Sequence, residues 1–92
     1  MKNKEKVFTA IEKVTGISKS EIVGKTKKSK ITQARMIYYL IMFNYKNTHQ
    51  DIIESVNRVA HASSIYGIRK IIAEMELYDD VREMYEAIQN EL

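Results

Sequence analysis

Apolar residues recur at three- and four-residue intervals along nearly the whole chain and nowhere alternate over the length of a strand, so the pattern predicts helices alone. Val7, Phe8, Ile11 and Val14 share one face of a first helix running from about Lys4 to Thr15, with Gly16 as its C-terminal stop. Ser18-Lys-Ser-Glu21 has the spacing of a capping box, opening a short helix that buries Ile22 and Val23 and ends at Gly24. Ile31, Ala34, Ile37, Tyr38, Ile41 and Tyr45, with Leu40 widening the stripe, mark a third helix from about Ile31 to Asn44, the expected centre of the core. Thr48-His-Gln-Asp51 supplies another N-terminal box, for a two-turn helix through Ile52, Ile53 and Val56 that stops near Asn57-Arg58. A fifth helix, His61 to about Met75, is expected to turn Ile65, Ile68, Ile72 and Met75 inward. The last, opened by Asp79 or Asp80, packs Val81, Met84, Tyr85, Ile88 and Leu92. No proline interrupts these segments, and neither a repeat nor a linker is visible. The expected fold is all-α, a compact bundle of about six helices forming one domain over residues 1–92.

Size and composition narrow the function classes. A chain of 92 residues buries only about 60–65 % of its unfolded surface, which leaves little room for a catalytic cleft beside a core. No enzyme is expected. The absence of cysteine excludes disulfides and thiolate metal sites, and two histidines do not make a metal site alone. The longest apolar run, Met36 to Phe43, is far short of a membrane span, and the Lys-rich start lacks a signal peptide's apolar segment, so a soluble cytoplasmic protein is expected.

Charge is distributed unevenly. Residues 1–30 carry nine Lys against Glu5, Glu12 and Glu21, a balance of +6. Residues 72–92 carry seven acids against Arg82, a balance of −6. A polyanion would therefore meet the first part of the chain and be repelled by its tail.

Two segments carry candidate chemistry. The helices Thr48 to Val56 and His61 to Met75 have the short-turn-long pattern of a helix-turn-helix, over about residues 48–76. Ala62, Ser63 and Ser64 at the second helix's start are small enough for close approach to base edges, His61 can donate or accept, and Tyr66 lies one turn further on. An ordinary helical hairpin with Ser and His as caps fits the same pattern. The loop Gly24-Lys-Thr-Lys-Lys-Ser-Lys30 places four lysines in seven residues with no acid between them; such a run is either solvated surface or a set of phosphate contacts. Ile22 to Thr26 has the Gly-Lys-Thr of a nucleotide-binding loop, but Lys19 stands where that loop needs its first glycine and no strand precedes it, so nucleotide binding is rejected and no cofactor is expected. His49 and His61 show no metalloprotease spacing. Of the six tyrosines, all but Tyr66 are expected in or beside the core.

With these elements in place the sequence resembles the C-terminal DNA-binding domain of the DnaA replication-initiator family, a helix-turn-helix fold of the Trp-repressor-like group. The run from Gly24 to Leu40 is similar to the family's basic loop followed by its arginine and aliphatic helix, and Asp51-Ile52 falls where the family has Glu-Ile. His61-Ala-Ser-Ser-Ile-Tyr-Gly-Ile-Arg-Lys-Ile71 runs without a gap against the family signature His-Ser-Thr-Val-Leu-His-Ala-Val-Lys-Lys-Ile. The resemblance implies Lys27 at the minor groove, Arg35 on a phosphate, His61, Ala62 and Ser63 at major-groove edges, and Lys70 on the backbone. The full candidate set for double-stranded DNA is Lys25, Lys27, Lys28, Lys30, Arg35, Arg58, His61, Ala62, Ser63, Tyr66, Arg69 and Lys70. Asn57-Arg58-Val59-Ala60 replaces the family's Gly-Gly-Arg-Asp, removing the base-reading arginine from its slot and leaving Arg58 as the candidate substitute. Ala62 replaces a hydroxyl residue and Met36 the usual glutamine, so the family's usual DNA box is a doubtful target. An ATPase module ahead of the domain, as a full initiator carries, is not expected here. The expected setting is a replication accessory factor, a phage or mobile-element regulator, or a fragment of a longer protein, in the bacterial cytoplasm and on the nucleoid when bound. The competing expectation is a helical protein-interaction module, or a transcriptional regulator without that box specificity, in which the acidic helix from Asp79 to Leu92 meets a protein partner.

Overall fold

The computed structural model describes residues 3–58 and 60–92, and at position 61 the backbone alone. Six helices are present among the described residues: α1 (Lys4–Thr15), α2 (Lys19–Val23), α3 (Ser29–Asn44), α4 (His49–Ser55), α5 (His61–Leu77) and α6 (Asp79–Asn90). Their ends follow local chemistry. Gly16 adopts φ 77°, and its N–H donates to the Glu12 carbonyl at 2.8 Å to close α1. The capping box of α2 is complete, the Ser18 hydroxyl accepting from the Glu21 N–H at 3.3 Å and the Glu21 carboxylate from the Ser18 N–H at 3.0 Å. Thr48 Oγ1 accepts from the Asp51 N–H at 3.1 Å and starts α4. Neither α3 nor α4 has a glycine at its end. Lys46 (φ 69°) and Asn57 (φ 58°) take the left-handed position, and the following N–H in each case reaches back five residues, Asn47 to the Met42 carbonyl and Arg58 to the Ile53 carbonyl. Tyr78 alone separates α5 from α6.

α3 is the axis of the bundle. Every residue from Ala34 to Met42 is buried, so this helix has no solvent face over more than two turns. α5 packs along one side of it, α1, α2 and α4 cover the others, and α6 closes the bundle against α1 and α5. Tyr38 is wholly buried; its ring stacks on Phe8 at 4.4 Å, and its hydroxyl lies 2.6 Å from Ser55 Oγ, which itself donates to the Ile52 carbonyl. Tyr39 is buried too, Tyr45 and Tyr85 pack half-buried at the core's margin, and Tyr78 is exposed, contrary to its expected place beside the core.

The inward stripe of α5 differs from the expected one. Ile68 is buried as predicted and Met75 is partly so, but Ile71 is the fully buried isoleucine, while Ile65 and Ile72 are exposed. At about 100° per residue, Ser64, Gly67, Ile68, Ile71 and Met75 fall on one arc of the helix. Ile65 and Ile72 lie about a quarter-turn away. The apolar pattern gave weight to the isoleucines and none to Ser64 and Gly67, which are the positions where α5 comes nearest its neighbours. No helix among the described residues is long and apolar enough to cross a membrane.

Burial pushes the Tyr38 hydroxyl up to about 12 from its ordinary value of 10.0. The folded chain thus holds this proton more tightly than the unfolded one. The associated stability is complete below pH 10 and is lost between about pH 10 and 12, by up to ~2–3 kcal/mol. Denaturant titrations across that range should show the decline, and Tyr38→Phe should reduce it, leaving the part due to the buried Tyr39, while costing about 1 kcal/mol at neutral pH through the lost hydrogen bond to Ser55.

Candidate nucleic-acid interface

The loop between α2 and α3 carries Lys25, Lys27 and Lys28, all exposed, and none of them forms an ion pair among the described residues. What shapes this loop is Arg35. Its side chain reaches from the buried face of α3 and donates to four carbonyls: Nε to Ile22 at 2.7 Å, Nη1 to Thr26 at 3.3 Å, and Nη2 to Glu21 at 3.3 Å and Gly24 at 3.0 Å. Arg35 is only 6 % exposed. A charge at that depth requires this many acceptors. Burial, and then the nearby Arg58 charge, hold its pKa below the ordinary arginine value. Arg35, expected on a phosphate, donates in this structure to backbone carbonyls and organises the loop that carries the lysines.

Arg58, the candidate base reader, is likewise hydrogen-bonded to backbone carbonyls in this structure. It follows the left-handed turn at Asn57, and its guanidinium faces back into the protein, with Nη1 donating to the Val56 carbonyl and Nη2 to the Gly24 carbonyl, each at 2.9 Å. Lys25, Thr26, Lys27, Thr32, Arg35, Asn57 and Arg58 surround an open cleft of about 410 Å³. An adjoining cleft of about 250 Å³, lined among others by Lys27, Thr32, Lys70 and Glu74, continues that surface onto α5. Lys27 and Thr32 belong to both. The structure thus brings Lys25, Lys27, Arg58 and Lys70 onto one connected surface. Lys30 is not part of it, because α3 begins before this residue and turns it toward a separate hollow lined by Val14, Asp80 and Met84.

On α5, Ala62, Tyr66, Arg69 and Lys70 are exposed, and Ser63 is half-buried. The Lys70 ammonium lies 5.9 Å from the Tyr66 ring centre, within cation–π range. Ala60, which precedes the helix, supplies no side-chain cap, and the first turn contains no acid, so the positive dipole end is not neutralised locally. The His61 side chain and Val59 lie outside the described residues. Ser64, expected with Ala62 and Ser63 at base edges, is fully buried and holds the ring of His49 on α4 through a 2.7 Å contact to Nδ1. His49 in turn stacks on Phe43 at 4.8 Å. The family signature already has Val at the position of Ser64, a sign of burial that the hydroxyl concealed. Thr26, Thr32 and Asn57 line the basic cleft without having been singled out, since nothing in their spacing marks them.

A different surface lies between α5 and α6, where Ile72, Met75 and Tyr85 form an apolar groove of about 420 Å³ edged by Glu76, Arg82 and Glu86. Among the described residues no group of three or more His, Asp or Glu is placed to hold a metal ion.

The chain is 31 % identical over 74 residues, 77 % of its length, to the chromosomal replication initiator protein DnaA of Kosmotoga olearia. It spans 16 % of that protein's length. No protein-family model matches the chain, and no solved structure matches it. The similarity points to a DnaA-related domain.

Gly67 sets the distance between α5 and α3. A Cβ there would lie 2.8 Å from Cδ2 of the buried Tyr39 ring and 3.2 Å from Met36 Cγ. The family signature has Ala at this position; here the Tyr39 ring occupies the space its methyl group would need. Gly→Ala inside a helix ordinarily stabilises by about 1 kcal/mol. Gly67→Ala should instead destabilise by ~1–3 kcal/mol, because neither the ring nor the backbone can yield freely. Chemical denaturation of the two proteins decides the sign.

Proposed function

We propose that this protein is a non-catalytic, DnaA-related module that binds double-stranded DNA in replication initiation or its regulation. α4, the segment that follows it and α5 act as a helix-turn-helix of the Trp-repressor-like kind, with the start of α5 in the major groove. Ala62, Ser63 and Tyr66 face the bases, His61 joins them on the strength of the resemblance alone, and Lys25, Lys27 and Lys28 lie on the adjacent backbone or minor groove, with Arg69 and Lys70 on phosphates. One observation carries this reading: the clefts that share Lys27 and Thr32 join the basic loop to the exposed side of α5. Lysines scattered as ordinary solvated surface would not share a concave face with Lys70 on the middle of α5. The similarity to a replication initiator supports the same partner.

The acidic residues of α6 keep to the other end of the chain and would orient the module by repelling the duplex. The apolar groove between α5 and α6 favours, as a second reading, a protein partner on that side, which leaves the basic surface open.

Fluorescence anisotropy with a labelled duplex at several salt concentrations tests the main reading. Affinity should fall steeply with salt, and the Lys25→Ala, Lys27→Ala double variant should weaken binding to all sequences alike while reducing the log–log slope by about 2. Ser63→Ala and Tyr66→Ala should chiefly change the ranking of duplexes selected from a random pool. Absence of binding even at low salt would overturn the assignment.

A further inference from the structure

We infer that Arg58 is a positioning residue that, with Arg35, locks the basic loop to the turn closing α4 through the carbonyl of Gly24, so that the loop and the first helix of the helix-turn-helix move as one unit. The loop has little to hold itself. Within Gly24 to Lys28, the Lys28 N–H donates to Thr26 Oγ1 at 3.3 Å, and the exposed lysines repel one another. Arg35 fastens the loop to α2 and α3 but does not reach α4. Arg58 supplies that connection across 34 positions of sequence.

Arg58 is itself fixed at both ends. Its N–H donates to the Ile53 carbonyl at 2.8 Å as α4 closes around Asn57, and its guanidinium forks between the Val56 and Gly24 carbonyls. A carbonyl oxygen has two lone pairs, and that of Gly24 receives one guanidinium from each side, Arg35 at 3.0 Å and Arg58 at 2.9 Å. No carboxylate is ion-paired with either arginine among the described residues, so the two like charges are held together by carbonyl dipoles alone. This geometry needs arginine. A lysine ammonium at position 58 keeps the charge but lacks the planar fork that spans both carbonyls.

The functional consequence rests on the DNA-binding reading; the clamp itself can be tested in the free protein. Nitrogen-15 relaxation should show Lys25 to Lys28 as ordered as the helices in the parent, with order parameters near ~0.85, and falling below about 0.6 in both Arg58→Ala and Arg58→Lys. The amides of α1 and α3 should be unchanged. Unaltered loop order in both variants would overturn the inference, whatever the protein does with DNA. With duplex, both variants should bind about tenfold more weakly at an unchanged salt slope. Restoration by lysine, or a slope lower by about 1 in Arg58→Ala, would instead make Arg58 a direct phosphate contact and likewise defeat the proposal. If the parent fails to bind duplex, the assignment of function falls and the relaxation measurement still decides the clamp.

Discussion

A helix buried on every side has to be covered on every side, and α3 imposes that condition on this protein. From Ala34 to Met42 each side chain is removed from solvent, and the sequence before and after is spent largely on covering it: α1 and α2 ahead of it, α4 and α5 behind it. Burial of this kind is the main source of stability in so small a chain. It also places a charge in the interior. Arg35 stands among the buried residues of α3, and its guanidinium is satisfied only by the carbonyls of the segment that leads into the helix. The demand of one buried arginine for acceptors thus fixes the course of a loop whose lysines would otherwise push apart.

The same helix decides how α5 sits. Because Gly67 has no side chain, α5 approaches Met36 and Tyr39 closely, and the opposite side of α5 is left to solvent with Ala62, Tyr66 and Arg69. Ser64 turns inward beside this contact and engages His49, tying α5 to the short helix before it. The exposed face of α5 and the basic loop are therefore two products of one packing arrangement around α3. Their juxtaposition is what makes a nucleic-acid surface the natural reading of the molecule.

The residues that depart from the replication-initiator pattern are instructive in this setting. Arg58 stands one position before the slot where the family resemblance places an arginine, and its guanidinium donates to Val56 and Gly24. A charge gained near the turn has gone to architecture. Ala62 and Lys70 keep exposed places on α5, whereas Lys30, adjacent in sequence to the other loop lysines, has been carried round by the first turn of α3.

The sequence by itself determined the helices and most of their ends, because those depend on neighbours a few residues apart: the Ser18 and Thr48 caps, the glycine after α1, and the apolar repeat of α3. It also singled out the basic loop and the start of α5 as the candidates for DNA contact. The direction of individual side chains was not legible in the same way. Whether Ser64 meets a base or His49, whether Ile71 or Ile72 enters the core, and whether Arg35 and Arg58 face a phosphate or a carbonyl depend on groups up to 34 positions away, and on backbone oxygens that no residue type announces. Only the tertiary structure decided these, because burial and hydrogen-bond satisfaction are settled by what stands opposite in space.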